Sequence, residues 1–215
     1  RTSKPDIYAV GDAIAVTNFV TKQEAYIPLA GPANKQGRIA ADHICGRNVS
    51  FKGTQGTSIL KLFDMTVATT GIHELQAKQS NLDYDTIITY SPSHATYYPN
   101  AKNMMIKTIF EKQSGKILGA QLVGYEGVDK RCDVLATAIR AGMTAYDLTE
   151  LELAYAPPFS SAKDPIAIAG YVASNIISGA MPVVTWRELV QHKNEVMLID
   201  TRTAEEFSFG TIPGA

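Results

Sequence analysis

The chain has 215 residues, of which 45% are hydrophobic and 19% are charged, and its formal net charge is −1. This composition is typical of a globular protein, and the near-neutral charge argues against a nucleic-acid partner, which usually binds a basic surface. No apolar run reaches the roughly 18 to 20 residues of a membrane-spanning helix, so no membrane contact is expected. The two cysteines, Cys45 and Cys132, match neither a disulfide framework nor a zinc pattern, which favours a reducing, cytoplasmic setting.

The beginning of the chain contains four segments with strand or helix patterns. They predict a buried strand over 6–12, two short strands over 13–20 and 24–27, and a helix over 33–44. The first strand ends at a Gly-Asp turn, and Gly46 is in position to cap the C-terminus of the helix.

The middle of the chain mixes strand and helix patterns. They predict a strand over 60–69, a short helix over 72–79, a strand over 85–90, a hairpin of 104–111 and 116–124, and helices over 128–141 and 166–177. The last helix is apolar on almost its whole surface, so we expect it to pack against another subunit or deep in the core.

The final residues predict a helix over 186–192, a buried strand over 196–200 and the start of a helix over 204–207. A strand pattern begins almost at residue 1, and a strand–helix pattern is incomplete at residue 215. We therefore expect the chain to be an excerpt of a longer polypeptide. The four histidines are scattered, and no residues have metal-ligand spacing, so no metal site is expected.

Two segments near the start carry possible binding chemistry. Gly11 lets the backbone approach a ligand closely, and the carboxylate of Asp12 can accept hydrogen bonds from ligand hydroxyls. Pro28, Leu29 and Ala30 precede a helix, whose N-terminus presents free N–H groups and a partial positive charge. On these residues alone, a turn with a solvated aspartate and a plain surface helix remain the alternatives.

In order and spacing, these two segments resemble the FAD-binding signature of the pyridine nucleotide-disulfide oxidoreductases. The resemblance implies that Gly11 and Asp12 bind the ribityl and phosphate end of FAD. It also implies that Pro28, Leu29 and Ala30 lie at the pyrimidine side of the isoalloxazine ring, where the helix N-terminus would stabilise the anionic reduced flavin. NAD(P)H would be the reductant.

Two predicted loops contain tyrosines near prolines. These loops are 93–99, with Tyr97, and 155–165, with Tyr155. Taken alone they are a strand-to-strand loop and a rigid connector. The second loop resembles the interface loop of the branch that contains coenzyme A-disulfide reductases, NADH oxidases and NADH peroxidases. The resemblance implies that Tyr97 and Tyr155 are catalytic at the partner subunit's active site, with Tyr98 as the alternative to Tyr97. A phenol can donate a hydrogen bond to sulfur without titrating at neutral pH.

Residues 197–215 resemble the opening of a rhodanese domain, with Asp-x-Arg, Glu-Phe and Gly-x-Ile-x-Gly-Ala motifs. The resemblance implies a structural ion pair between Asp200 and Arg202. Thr211 stands where that family usually has histidine. The sulfur-carrying cysteine of the family is not in this chain, which excludes sulfur transfer by these residues.

The resemblances together imply an α+β fold. An antiparallel sheet flanked by helices would form a dimerisation domain over 57–179, after the end of an FAD-binding domain over 1–46 and before a truncated α/β rhodanese start over 183–215. The implied protein is a homodimeric, FAD-dependent NAD(P)H:disulfide oxidoreductase acting on coenzyme A disulfide, a persulfide or a polysulfide. The alternatives are an NADH oxidase or peroxidase, and a non-catalytic dimerisation module. The family's redox-active cysteine is not in this chain.

Overall fold

The computed structural model describes all 215 residues, which divide into two compact units, 1–178 and 179–215. The strands are β1 (Val16–Thr17), β2 (Glu24–Ala25), β3 (Ser58–Leu62), β4 (Met65–Gly71), β5 (Tyr84–Pro92), β6 (Asn103–Glu111) and β7 (Ile117–Gly124). The helices are α1 (Ala30–Ile44), α2 (Glu74–Gln79), α3 (Val128–Ala141), α4 (Ala145–Thr149), α5 (Pro165–Ile177), α6 (Trp186–His192) and α7 (Ala204–Ser208). None of these helices is both long enough and apolar enough to cross a bilayer.

The first unit is built on a five-stranded antiparallel sheet with the strand order β3-β4-β7-β6-β5. Helices α3, α4 and α5 share one apolar core with this sheet. Leu135 of α3, Ile166 of α5 and Leu122 of β7 are fully buried there. Burial of one such side chain contributes about 1.5–3 kcal/mol. The predicted α+β fold, an antiparallel sheet flanked by helices, is confirmed.

Helix α3 has the predicted boundaries because local signals mark both of its ends. Gly127 precedes it with φ +67° and Gly142 follows it with φ +75°, a left-handed conformation that glycine adopts without steric cost. Between them, Val128, Leu135 and Ile139 recur at helical spacing and face the sheet.

Two predicted strands are not strands. Residues 6–12 are extended at Val10 (φ −144°, ψ 166°) and then form a 3₁₀ turn, and Ile7 is 53% exposed. Residues 196–200 are also unpaired, and Met197 is 83% exposed. In both places the chain offers no neighbouring strand, and an apolar extended segment forms a ladder only when its N–H and C=O groups have a partner.

The predicted single strand over 60–69 is a hairpin. A two-residue turn at Phe63 and Asp64 joins β3 to β4. Phe63 takes φ +53°, a backbone conformation that few residues other than glycine adopt readily. The short helix α4 was not predicted either, although Thr144 and Asp147 form a capping box at its start.

The second unit consists of α6, a 3₁₀ turn and α7. Both helices start where the sequence predicts, and both begin with a capping box, Thr185 with Glu188 and Thr203 with Glu206. Neither helix contains a buried residue.

Candidate functional site

Gly11 and Asp12 lie beside helix α1. The N–H of Gly11 donates a 2.7 Å hydrogen bond to Oε1 of Gln36, a buried residue of α1, and this bond fixes the turn against the helix. Gly11 has φ +75°, and a Cβ there would lie 3.8 Å from the Cβ of Ala33. Asp12 is exposed, and its carboxylate has neither a hydrogen bond nor an ion pair within the chain.

Helix α1 begins one residue after Leu29, which caps it without any side-chain hydrogen bond. The N–H groups of Ala30 and Gly31 have no acceptor in the chain, and Pro32 has no N–H at all. Pro28 and Ala30 are exposed at this end, and no acidic side chain stands in the first turn. The helix start therefore presents unpaired donors and the positive end of a helix dipole to solvent.

The structure brings together the two tyrosines that the sequence analysis selected. The hydroxyl oxygens of Tyr97 and Tyr155 are 3.1 Å apart, although 58 residues separate them in the chain. Their side chains are exposed, Tyr97 to 75% and Tyr155 to 48%. The hydrogen bond to Tyr155 raises the pKa of the Tyr97 phenol. One hydroxyl donates to the other, so the pair keeps one O–H free for a ligand.

A buried group of side chains links the two loops that carry this pair. Arg131, on α3, is 1% exposed and forms an ion pair with Asp164, with Nη2 2.8 Å from Oδ2. The same Nη2 donates to the carbonyl of Ser93 (3.1 Å) and to Oγ of Ser160 (3.0 Å). Ser160 in turn donates to Asp164 at 2.7 Å. We call Ser93, Arg131, Ser160 and Asp164 the arginine network.

Asp164 stays ionised in this setting. Burial alone would raise the pKa of its carboxyl group, but hydrogen bonds from Arg131, from the N–H of Ile166 and from Ser160 outweigh burial, and the pKa lies below its usual value. Asp164 is also the N-cap of α5, accepting the N–H of Ile166 at 3.0 Å. The loop that carries Tyr155 is thus fixed at its far end.

The arginine network was not predicted from the sequence, although one signal for it is present. Arg131 stands three residues after Val128 and four before Leu135, so it falls on the apolar stripe of α3. A charged residue on a buried stripe needs a buried partner, and Asp164 is that partner. No hydrogen bond or ion pair joins the tyrosine pair to Asp12 or to the start of α1.

The cysteines differ in their surroundings. Cys132 is 2% exposed on α3, and burial raises the pKa of its thiol to about 11, which makes it an unreactive core residue. Cys45 is a free thiol on the surface.

In the second unit, the predicted ion pair between Asp200 and Arg202 is present, with Nη2 2.6 Å from Oδ2. Thr211 donates a hydrogen bond to the same carboxylate at 2.8 Å, and Arg202 also donates to the carbonyl of Gly210. These contacts close residues 200–211 into one loop-and-helix segment around Asp200.

The antiparallel sheet and its flanking helices define a known class of domain. Residues 57–165 match the family described as pyridine nucleotide-disulphide oxidoreductase, dimerisation domain. This match covers about half of the chain, which therefore belongs to that family.

Individual proteins extend the similarity beyond the family match. The chain is 41% identical over 174 residues to a coenzyme A disulfide reductase of Staphylococcus epidermidis, covering 80% of this chain and 39% of the relative. It is similar to the crystal structure of reduced Bacillus anthracis CoADR-RHD, with a TM-score of 0.95 and 54% identity over 99% of this chain and 38% of that one. It is also similar to an NAD-dependent persulfide reductase from A. fulgidus, with a TM-score of 0.89 and 44% identity over 96% of this chain and 38% of that one. The chain thus spans about two-fifths of the length of these relatives.

Proposed function

We propose that the chain is the C-terminal part of an FAD-dependent NAD(P)H:disulfide oxidoreductase that acts on coenzyme A disulfide or a persulfide. The reaction takes a hydride from NAD(P)H and a proton from solvent and breaks the S–S bond. It releases NAD(P)⁺ with two thiols, or with one thiol and hydrogen sulfide from a persulfide. The family match and the names of the relatives support this proposal. The observation that carries it is the 3.1 Å pair of Tyr97 and Tyr155.

The residues at the start of the chain fit one part of an FAD site. When bound, FAD supplies the two-electron transfer between NAD(P)H and the disulfide. The unpartnered carboxylate of Asp12, beside Gly11 and its hydrogen bond to Gln36, is free to accept hydrogen bonds from the ribityl chain. The unpaired N–H groups of Ala30 and Gly31 are free to donate to the pyrimidine side of the ring, with Pro28 and Leu29 leading into the helix.

The tyrosine pair would stabilise the sulfur that leaves when the disulfide breaks. A phenol is protonated at neutral pH, and the hydrogen bond between Tyr97 and Tyr155 leaves one O–H of the pair to donate to a thiolate. We place the disulfide at the flavin of the partner subunit. The only hydrogen bond of the two hydroxyls is with each other and none reaches the residues of their own chain that we propose to bind FAD, which supports this placement.

The test is Tyr97→Phe and Tyr155→Phe, singly and together, in the full-length parent protein. A hydrogen bond to a charged group contributes about 1.5–3 kcal/mol, so each loss should slow disulfide reduction roughly ten- to a hundredfold. Flavin reduction by NAD(P)H should hardly change, because hydride transfer comes before the step that uses the phenols. Tyr98→Phe tests the alternative assignment, since slower disulfide reduction in this variant but not in Tyr97→Phe would give the role to Tyr98.

Wild-type disulfide reduction in the double variant would show that the tyrosines only pack at an interface. Slower flavin reduction would show that the tyrosines do not act at the disulfide. Oxygen or peroxide in place of the disulfide as electron acceptor tests the alternative of an NADH oxidase or peroxidase.

The parent protein is proposed to be a homodimer through residues 58–179. The dimerisation-domain match supports this, as does the outer side of α5, where Tyr171 is 41% exposed and Ile168 is only partly buried. Light scattering at micromolar concentration tests it, and a monomer would contradict it. The two free thiols are compatible with the cytoplasmic setting that we also propose.

The proposed domains are the end of an FAD-binding domain (1–46), the dimerisation domain (57–179) and the start of a rhodanese domain (183–215). The Asp200–Arg202 pair and the compact unit 179–215 support the last of these. In a parent chain with a complete rhodanese domain, Leu198 and Ile199 would gain partner strands. Their amide protons should then exchange far more slowly than in the 215-residue chain, and unchanged exchange would contradict the assignment.

A second candidate applies to the 215 residues by themselves, namely a non-catalytic dimerisation module. It is favoured by Cys132, which is buried and unreactive. We expect the isolated chain to bind FAD weakly or not at all, because Asp12 and the start of α1 supply only part of a dinucleotide site. The visible absorption of the purified chain tests this, and a full complement of yellow flavin would contradict it.

A further inference from the structure

The geometry of the tyrosine pair is not fixed by burial of the two side chains. Both phenols are exposed, so the 3.1 Å between their hydroxyls depends on the two loops that carry them. Tyr97 lies in the loop between β5 and β6, and Tyr155 lies in the loop before α5. Long exposed side chains lose conformational freedom when they are held in one geometry, so this pairing requires loops of fixed position.

The first loop is fixed by buried polar groups. His94 is 5% exposed, and its Nε2 donates to the carbonyl of Pro99 at 3.1 Å, which closes the loop around Tyr97. Its Nδ1 lies 3.1 Å from Oγ of Ser93, which in turn accepts the N–H of Lys102 at 3.2 Å.

The second loop is joined to the first at two points. The N–H of Ala95 donates directly to the carbonyl of Ser160 at 3.0 Å. The guanidinium of Arg131 bonds the carbonyl of Ser93 in the first loop, and it bonds Ser160 and Asp164 in the second. One backbone hydrogen bond and one side chain, Arg131, therefore hold the two loops together.

Stability alone is a poor explanation for this arrangement. A buried ion pair often contributes no more to folding than apolar residues of the same volume, because both charges lose their hydration. A planar guanidinium with several fixed donors is suited to holding several acceptors in one geometry.

We propose that the arginine network is a positioning device that holds the hydroxyls of Tyr97 and Tyr155 at the separation needed to bind the reacting sulfur. Arg131 is a positioning residue, since it acts through the tyrosines and not on the substrate. This inference rests on the proposed function, because it assumes that the tyrosines take part in disulfide reduction.

The main test is a double-mutant cycle in the full-length dimeric enzyme. Arg131→Lys keeps the charge but loses the fork of donors, and it should slow disulfide reduction about tenfold in the wild-type background. In the Tyr97→Phe/Tyr155→Phe background the same substitution should change the rate less than about twofold, because the groups it positions are gone. Equal losses in the two backgrounds would overturn the proposal.

A control and a milder variant accompany the cycle. Glu74→Gln removes two other ion pairs of the same unit, with Lys107 and with Lys78, and neither is bonded to either loop, so the rate should be unchanged. A tenfold loss in this control would show that any broken ion pair slows the enzyme, and would overturn the proposal. Ser160→Ala keeps the Arg131–Asp164 pair and should slow disulfide reduction about threefold. If Arg131→Lys does not fold, Ser160→Ala takes its place in the double-mutant cycle.

Crystal structures of the same variants separate a failure of this inference from a failure of the proposed function. In Arg131→Lys the two hydroxyls should move beyond hydrogen-bond distance, whereas in Glu74→Gln they should stay together. If the double phenylalanine variant keeps the wild-type rate, the proposed function fails and the hydroxyl separation alone decides the inference. An unchanged separation in Arg131→Lys overturns it in every case.

Discussion

The two units of the chain use the same local signals but differ in what they bury. Helix α4 in the first unit and helices α6 and α7 in the second all begin with a threonine capping box. In α4, which packs against α5, Ala145 and Leu148 are buried in the core of the first unit, whereas α6 and α7 contain no buried residue. A cap contributes about 1 kcal/mol and fixes where a helix begins, but it cannot replace a core. Local sequence thus sets helix positions in both units, and only long-range packing makes the first unit a folded support for a site.

The largest expected effect is on the free energy of unfolding, and it distinguishes the first unit, which has a buried core, from the second. Leu135→Ala removes a fully buried side chain and should lower the free energy of unfolding of the first unit by about 2–5 kcal/mol. Leu198→Ala, at a partly buried position of the second unit, should cost less than about 1 kcal/mol. Urea unfolding of both variants measures the difference, and similar losses would show that the second unit has a core after all.

A smaller loss of stability is expected to distinguish the buried Arg131–Asp164 pair from the Asp200–Arg202 pair. Asp164→Asn leaves Arg131 buried without a countercharge and should cost about 1.5–3 kcal/mol at neutral pH. Asp200→Asn, which breaks the pair with the half-exposed Arg202, should change the unfolding temperature much less.

The pH dependence of the Asp164 effect has a definite sign. The pKa of Asp164 is lowered in the folded protein, so its contribution is complete above the unfolded value of about 4. The contribution is lost as the pH falls through the folded pKa. The stability gap between wild type and Asp164→Asn should therefore narrow below about pH 4, and thermal unfolding between about pH 7 and pH 3 measures it. A gap that widens on acidification would contradict this assignment.

The same contrast explains what the sequence could predict. The limits of α3 were predicted from the spacing of its apolar residues, and they coincide with two local signals, Gly127 and Gly142. The apolar runs 6–12 and 196–200 suggested strands, but a strand depends on a partner that an isolated sequence pattern does not identify.

The candidate site shows the same limit at the level of single residues. Tyr97 and Tyr155 were selected through a family resemblance, since nothing in their local sequence requires two loops 58 residues apart to meet. Arg131 was missed because its role depends on Asp164, which lies 33 residues away in the chain.

The central claim is that the tyrosines of one subunit serve the disulfide at the flavin of the other. Mixed dimers of the full-length protein test it most directly, with one subunit carrying Tyr97→Phe/Tyr155→Phe and the other lacking the redox-active cysteine. Both parent homodimers should be impaired in disulfide reduction. Random mixing makes half of the dimers mixed, and each mixed dimer pairs one intact cysteine with one intact tyrosine pair from the partner. The account therefore predicts recovery to about a quarter of the wild-type rate. If mixing gives no more activity than the two parents, the tyrosines act within their own subunit and the claim is wrong.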